Sequence, residues 1–233
     1  MLGKEIRNLV LVKLEEYTPY GPDSGRALLA GGDKLDEKKP IYSYVAQHLA
    51  EAANEVLLVA PVHRLLYKAV GVTGTPDADD NRIGSISLPD DFLRIHTLWM
   101  EGWRRPVHET IKAGHPLYNL QFSPWKRGTK QKPVAVLCGR GDIHKETDAE
   151  QGEHLVFDEQ QTIRYFSVDA GTEHPVKEFK YIPKFDGEYD YEREVAELIA
   201  LQCARKVCEV FGMTEQIGIM TSEFNSVLEN IRL

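Results

Sequence analysis

Near the N-terminus the apolar residues Ile6, Leu9, Val10, Leu14 and Tyr17 recur at helical spacing. The pattern stops at Thr18-Pro19, because the residue before a proline is pushed out of the α region. Residues 18–39 carry glycine pairs, prolines and mixed charge, which is loop composition. Pro40 suits the first turn of a second helix, whose stripe is Ile41, Tyr44, Val45, His48, Leu49, Ala52 and Val56. A third, short helix is expected around Val62 to Val70, after Pro61.

From Ile86 to Ile182 the period changes. Apolar residues fall into short runs at 94–100, 134–137, 154–157, 162–168 and 176–182, separated by connections rich in Gly, Pro, Asp and Lys. Such runs predict an antiparallel sandwich or small barrel, with a short helix near Val107 to Ala113 interrupting the strands. The helical period returns from Asp190, where Ala196, Ile199, Ala200, Cys203, Val207, Val210 and Phe211 share a stripe that Gly212 can cap. Thr214 can cap a last helix with Ile217, Met220, Phe224, Val227, Leu228 and Ile231 on one face. The fold class expected is therefore α+β. Residues 1–84 and 187–233 would form a helical bundle from both chain ends, carrying an inserted antiparallel β-sandwich or barrel domain over 85–186.

Glu215, Glu223 and Glu229 stay largely off the apolar face of the last helix, and that face must be covered. It can pack on the preceding helix, as consecutive helices joined by a short turn usually do. It can instead meet a neighbouring chain, since an exposed apolar patch marks an interaction site.

With 42% hydrophobic and 27% charged residues the chain reads as folded, and at 233 residues it buries roughly 70–75% of its unfolded surface. A net charge of −8 argues against a protein that grips nucleic acid broadly, because such binding rests on Lys and Arg neutralising phosphates. No stretch approaches the ~18 apolar residues of a membrane span, and charges interrupt any signal core in MLGKEIRNLV, so a cytoplasmic chain without membrane contact is expected. Cys138, Cys203 and Cys208 lack metal-ligand spacing and read as buried reduced thiols.

Candidate chemistry is sparse. Asp77-Ala78-Asp79-Asp80-Asn81 begins like a calcium loop, but Arg82 stands where glycine is needed and Leu88 where the closing glutamate belongs. His108-Glu109 opens like a zinc-protease helix, yet Lys112 occupies the second histidine's place, and His115 sits between Gly114 and Pro116. The remaining histidines are scattered, and Arg140-Gly141-Asp142 reads as an ordinary turn. Nucleophile elbows, phosphate-binding glycine loops and Cys-x-x-Cys pairs are missing from the sequence, so no enzyme and no cofactor are expected. One basic stretch, Trp125-Lys126-Arg127-Gly128-Thr129-Lys130-Gln131-Lys132, stands out in an acidic chain. It reads first as a solvated loop. The alternative is that Lys126, Arg127, Lys130 and Lys132 contact DNA phosphates or an acidic partner.

The segment Ile86-Ser87-Leu88-Pro89-Asp90-Asp91-Phe92-Leu93-Arg94-Ile95 resembles the leucine-proline-x-aspartate-phenylalanine segment of head-to-tail adaptor (connector, head-completion) proteins of tailed phages, particularly short-tailed ones. There it leads into the first long strand of the β domain. The order of helices, β insertion, alanine-rich helix and final helix is similar too. The resemblance implies a structural protein of the virion neck, assembled in the host cytoplasm. It implies subunits in a homo-oligomeric ring, commonly of twelve, beneath the portal protein, with a downstream tail component below and DNA passing through without sequence-specific binding. No catalysis follows from it, and the last-helix face becomes a candidate subunit or portal interface. Another neck or tail protein, such as a tail terminator or peripheral ring protein, is the alternative.

Overall fold

A computed structural model describes residues 1–16, 41–139, 143–148, 152–157 and 161–232. Tyr17, the Thr18-Pro19 stop, the loop at 18–39, the Pro40 helix start and the Arg140-Gly141-Asp142 turn lie outside the described residues. The chain is mixed α+β and divides into two compact units, one of Met1–Leu66 with Lys184–Leu233 and one of Tyr67–Pro183. In chain order the elements are α1 (Gly3–Glu16), α2 (Ile41–Val59), β1 (Lys68–Ala69), β2 (Thr73–Pro76), β3 (Ile83–Ser87), β4 (Phe92–Met100), β5 (Ile111–Lys112) and α3 (Pro116–Gln121). There follow β6 (Ala135–Cys138), β7 (Ile143–Asp148), β8 (Gly152–Phe157), β9 (Thr162–Phe166), β10 (His174–Pro183), α4 (Arg193–Val210) and α5 (Thr214–Arg232).

In the first unit α4 is in contact with α1, α2 and α5. Its sequence explains this: Val195, Ala196, Leu198, Ile199, Ala200, Leu201, Cys203 and Ala204 point in nearly every direction and are all buried. A helix that is apolar all round must be surrounded. Ala196, Ala200 and Ala204 recur every fourth residue and present little bulk to a neighbouring helix. α1 contributes Ile6, Val10 and Leu14 to the core, and α2 contributes Val45, Leu49, Ala52, Ala53, Val56 and Leu57. α4 ends as Gly212 takes φ +70°, while Gly212 N–H donates to Glu209 O at 3.2 Å and Met213 N–H to Cys208 O at 3.0 Å. This is a Schellman cap, and its left-handed residue favours glycine. Thr214 is the first residue of α5 rather than its cap, since the Met213 carbonyl accepts the first helical bond, from Ile217.

The second unit holds a curled mixed sheet in the order β1-β10-β2-β3-β9-β6-β5, with β4 also paired to β10. The expected antiparallel sandwich or barrel is thus a half-barrel, and β5 runs parallel to β6. The curl has a visible cause in β10. Its pairing with β4 shifts register at Val176/Glu178, Lys180/Tyr181 and Ile182/Pro183, and such irregularities bend a strand and increase its twist. β1 pairs near the C-terminal end of β10 and β2 at its N-terminal end, after which β2 hands the sheet on to β3. β7 and β8 pair with each other in a separate two-stranded sheet.

Two expected helices are replaced. Residues Val62–Arg64 make a single 3-10 turn, closed by Arg64 N–H to Pro61 O at 3.1 Å, before the chain extends into β1. Val107 to Ala113 forms no helix: Val107 bridges Leu98 and residues 111–112 are β5; the helix starts later, with Pro116 in its first turn and His115 accepting from Leu117 N–H at 3.1 Å.

Candidate functional site

Of the six residues expected on the apolar face of α5, Met220, Leu228 and Ile231 are buried within the single chain, where α5 packs on α4. Ile217, Phe224 and Val227 are half-buried, and they are the part of this face that a neighbour can reach. Glu223 has a structural task of its own: it accepts from Lys13 Nζ of α1 at 2.8 Å.

The acidic turn and the basic loop meet. Within the turn Asp79 N–H donates to Asp77 Oδ1 at 3.3 Å and Arg82 N–H to Asp80 Oδ1 at 3.0 Å, which shapes the backbone. The outer oxygens face guanidinium groups: Asp77 Oδ2 lies 3.1 Å from Arg164 Nη2, and Asp80 Oδ2 lies 2.7 Å from Arg127 Nη2. Burial would raise the Asp80 carboxyl, but the bond from Arg127 and that from the Arg82 backbone outweigh it and hold the group below its usual range. These carboxylates are therefore engaged as arginine partners. Arg164 also donates to Tyr118 Oη at 3.2 Å and lies over the Phe122 ring at 5.8 Å.

The four basic residues expected to act alike divide into two pairs. Arg127 is consumed by Asp80, and Lys130 forms an ion pair with Asp169. Lys126 and Lys132 are exposed. The backbone N–H of Arg104 donates to Lys130 O at 2.9 Å, which holds residue 104 against the loop. The sequence places Trp125 at the edge of the basic stretch without a task for its ring: it is 95% exposed, and Leu117, Leu120 and Phe122 just before it are exposed as well. Its signal was legible, since a tryptophan among charges in a glycine-containing connection has little core to enter.

Several histidines among the described residues have local partners. His115 caps α3, and His108 Nδ1 donates to His96 O at 2.9 Å. Among the described residues no group of three or more His, Cys, Asp or Glu is placed to hold a metal ion. All three cysteines are buried and outside any disulfide, and burial pushes the Cys203 thiol up to about 12 and the Cys208 thiol up to about 11. Buried thiols of this kind are poor nucleophiles.

The segment at 86–95 forms a turn and a strand opening. Phe92 N–H donates to Pro89 O at 3.0 Å, and Phe92 and Ile95 enter the core of the second unit. Asp91 accepts from Lys68 Nζ at 2.6 Å and from Tyr181 Oη at 2.8 Å, which ties the turn to β1 and β10. No helix among the described residues is long and apolar enough to cross a membrane. No family model matches the chain, and no curated protein matches it.

Proposed function

We propose that this chain is a structural subunit of a phage neck, a head-to-tail adaptor that forms a ring beneath the portal, extends the DNA channel and docks the tail. The observation that carries the reading is the plan of the chain together with its strand opening. Both chain ends contribute helices to one unit, the β unit lies between them in sequence, and Leu88-Pro89-Asp90-Asp91-Phe92 turns into the nine-residue strand β4. In this reading the first unit is a helical bundle that carries the second as an insertion.

The mechanism is mechanical. A ring subunit must bury surface against its neighbours, and Ile217, Phe224 and Val227 on α5 offer a half-covered apolar strip for a subunit or the portal. The paired strands β7 and β8 add a hairpin outside the main sheet, an element that by itself is marginally stable in water and gains from a neighbour. Native mass spectrometry of the purified chain mixed with its portal tests the reading. Complexes carrying many copies of the chain per portal support it, and free chain at every mixing ratio overturns it.

A further inference from the structure

The sequence around Trp125 is cationic, and two of its cations, Arg127 and Lys130, are paired with Asp80 and Asp169. Between residues 101 and 139 the sequence carries seven Lys and Arg against two Glu, in a chain whose net charge is −8. An indole that is 95% exposed, flanked by the exposed Lys126 and near the exposed Lys132, forms an anchor with a charged rim. Tryptophan is enriched among the residues that carry binding energy, whereas isolated surface charges steer and select.

The first unit presents the opposite charge. Asp186, Glu188, Asp190, Glu192 and Glu194 occupy every second position between β10 and the first turn of α4, and all five are exposed. Tyr191 is buried and Phe185 and Tyr189 are half-buried, with Phe185 and Tyr191 stacked at 5.8 Å, while the carboxylates beside them and Arg193 stay exposed. Asp190 pairs with the N-terminal ammonium and Glu192 with Arg64 at 3.4 Å. Asp186, Glu188 and Glu194 have no ion pair among the described residues.

Resting on the ring reading, we propose that the Trp125 surface of one copy docks on the 186–194 carboxylate segment of the next. Each copy carries both halves, and they are different surfaces, so the contact is head-to-tail, the kind that forms a ring when its rotation closes and an open filament when it does not. DNA is the less favoured occupant of the Trp125 surface. Two of the loop's four cations are already committed to Asp80 and Asp169, and the chain as a whole repels a polyanion.

The test is sedimentation velocity of the full chain across a salt series, with charge-reversed variants. The wild type should associate at low salt and dissociate as salt rises. Trp125→Ala should weaken association by roughly tenfold or more. The double variant Lys126→Glu/Lys132→Glu and the triple variant Asp186→Lys/Glu188→Lys/Glu194→Lys should each remain monomeric. Mixing the two should restore association, because the reversed loop of one then meets the reversed segment of the other. Failure of the mixture to associate overturns the contact, as does a monomeric wild type that instead binds duplex DNA through Trp125 and Lys126. If the reversed variants still form rings on the portal, this contact is wrong and the adaptor reading stands; if the wild type forms none there, the adaptor reading itself fails.

Discussion

The phenol oxygen of Tyr165 lies 2.7 Å from Nδ1 of His174, whose Nε2 lies 2.8 Å from the Asn81 carbonyl oxygen. A carbonyl can only accept, so Nε2 carries a proton, and in the neutral ring Nδ1 accepts from the phenol. Both side chains are buried at the centre of the β unit. The phenol fits because β2 and β3 place Gly74 and Gly84 against it: a Cβ at either would stand 2.2 Å from the hydroxyl oxygen. Tyr165→Phe leaves the Nδ1 acceptor buried and unpaired and should cost about 1–3 kcal/mol. Gly84→Ala should also destabilise, because the new methyl meets the Thr75 carbonyl at 2.4 Å as well as the phenol. Urea unfolding checks both, and a wild-type midpoint for Tyr165→Phe would show that the bond contributes nothing.

The basic loop should not respond uniformly. Arg127→Ala strands Asp80, whose partner's side chain is only 10% exposed, and should cost the fold about 1.5–3 kcal/mol, the range for a hydrogen bond to a charged group. Lys126→Ala and Lys132→Ala should leave stability within about 0.5 kcal/mol, as exposed positions usually do. Thermal melting of the three variants distinguishes them. Equal losses for all three would contradict the division between structural and free cations.

The face of α5 should divide in the same way. Met220→Ala empties a buried site and should cost about 2–5 kcal/mol. Phe224 is half-buried, so Phe224→Ala should cost the monomer less and reduce ring formation more. A monomer destabilised by Phe224→Ala as strongly as by Met220→Ala would place that ring wholly in the core.

Acid should weaken the β unit before neutral pH does. In Asp91, burial raises the carboxyl, but the bonds from Lys68 and Tyr181 outweigh it, so its folded value lies below the ordinary 3.8, as does that of Asp80. A depressed carboxyl contributes stability above its unfolded value and loses it as pH falls through the folded one. Stability should therefore decline below about pH 4, and Asp91→Asn should flatten part of that decline. A melting temperature of Asp91→Asn that tracks the wild type from neutral to acid pH would remove Asp91 from this account.

The long helices were legible because their cores repeat locally: α2, α4 and α5 carry apolar residues at a spacing that alternation cannot imitate, and Gly212 marks the cap of α4; the short segments at 62–70 and 107–113, where helices were expected, were not, having too few turns to set a period. β4, β9 and β10 were legible as alternating or continuous apolar runs. β1, β2 and β5 were not, since two-residue strands and the Thr-Gly-Thr-Pro of β2 carry no apolar period and exist through their pairing with β10 and β6. The ion pair of Asp80 with Arg127 was hidden for the same reason. Each partner looks like a loop charge until the sheet brings the two loops together.

Electron microscopy of purified portal incubated with an excess of the chain tests the adaptor reading most directly. The result expected is a closed ring of identical subunits coaxial with the portal at one end, with the channel continuous through it. Portal particles identical with and without saturating chain would contradict it.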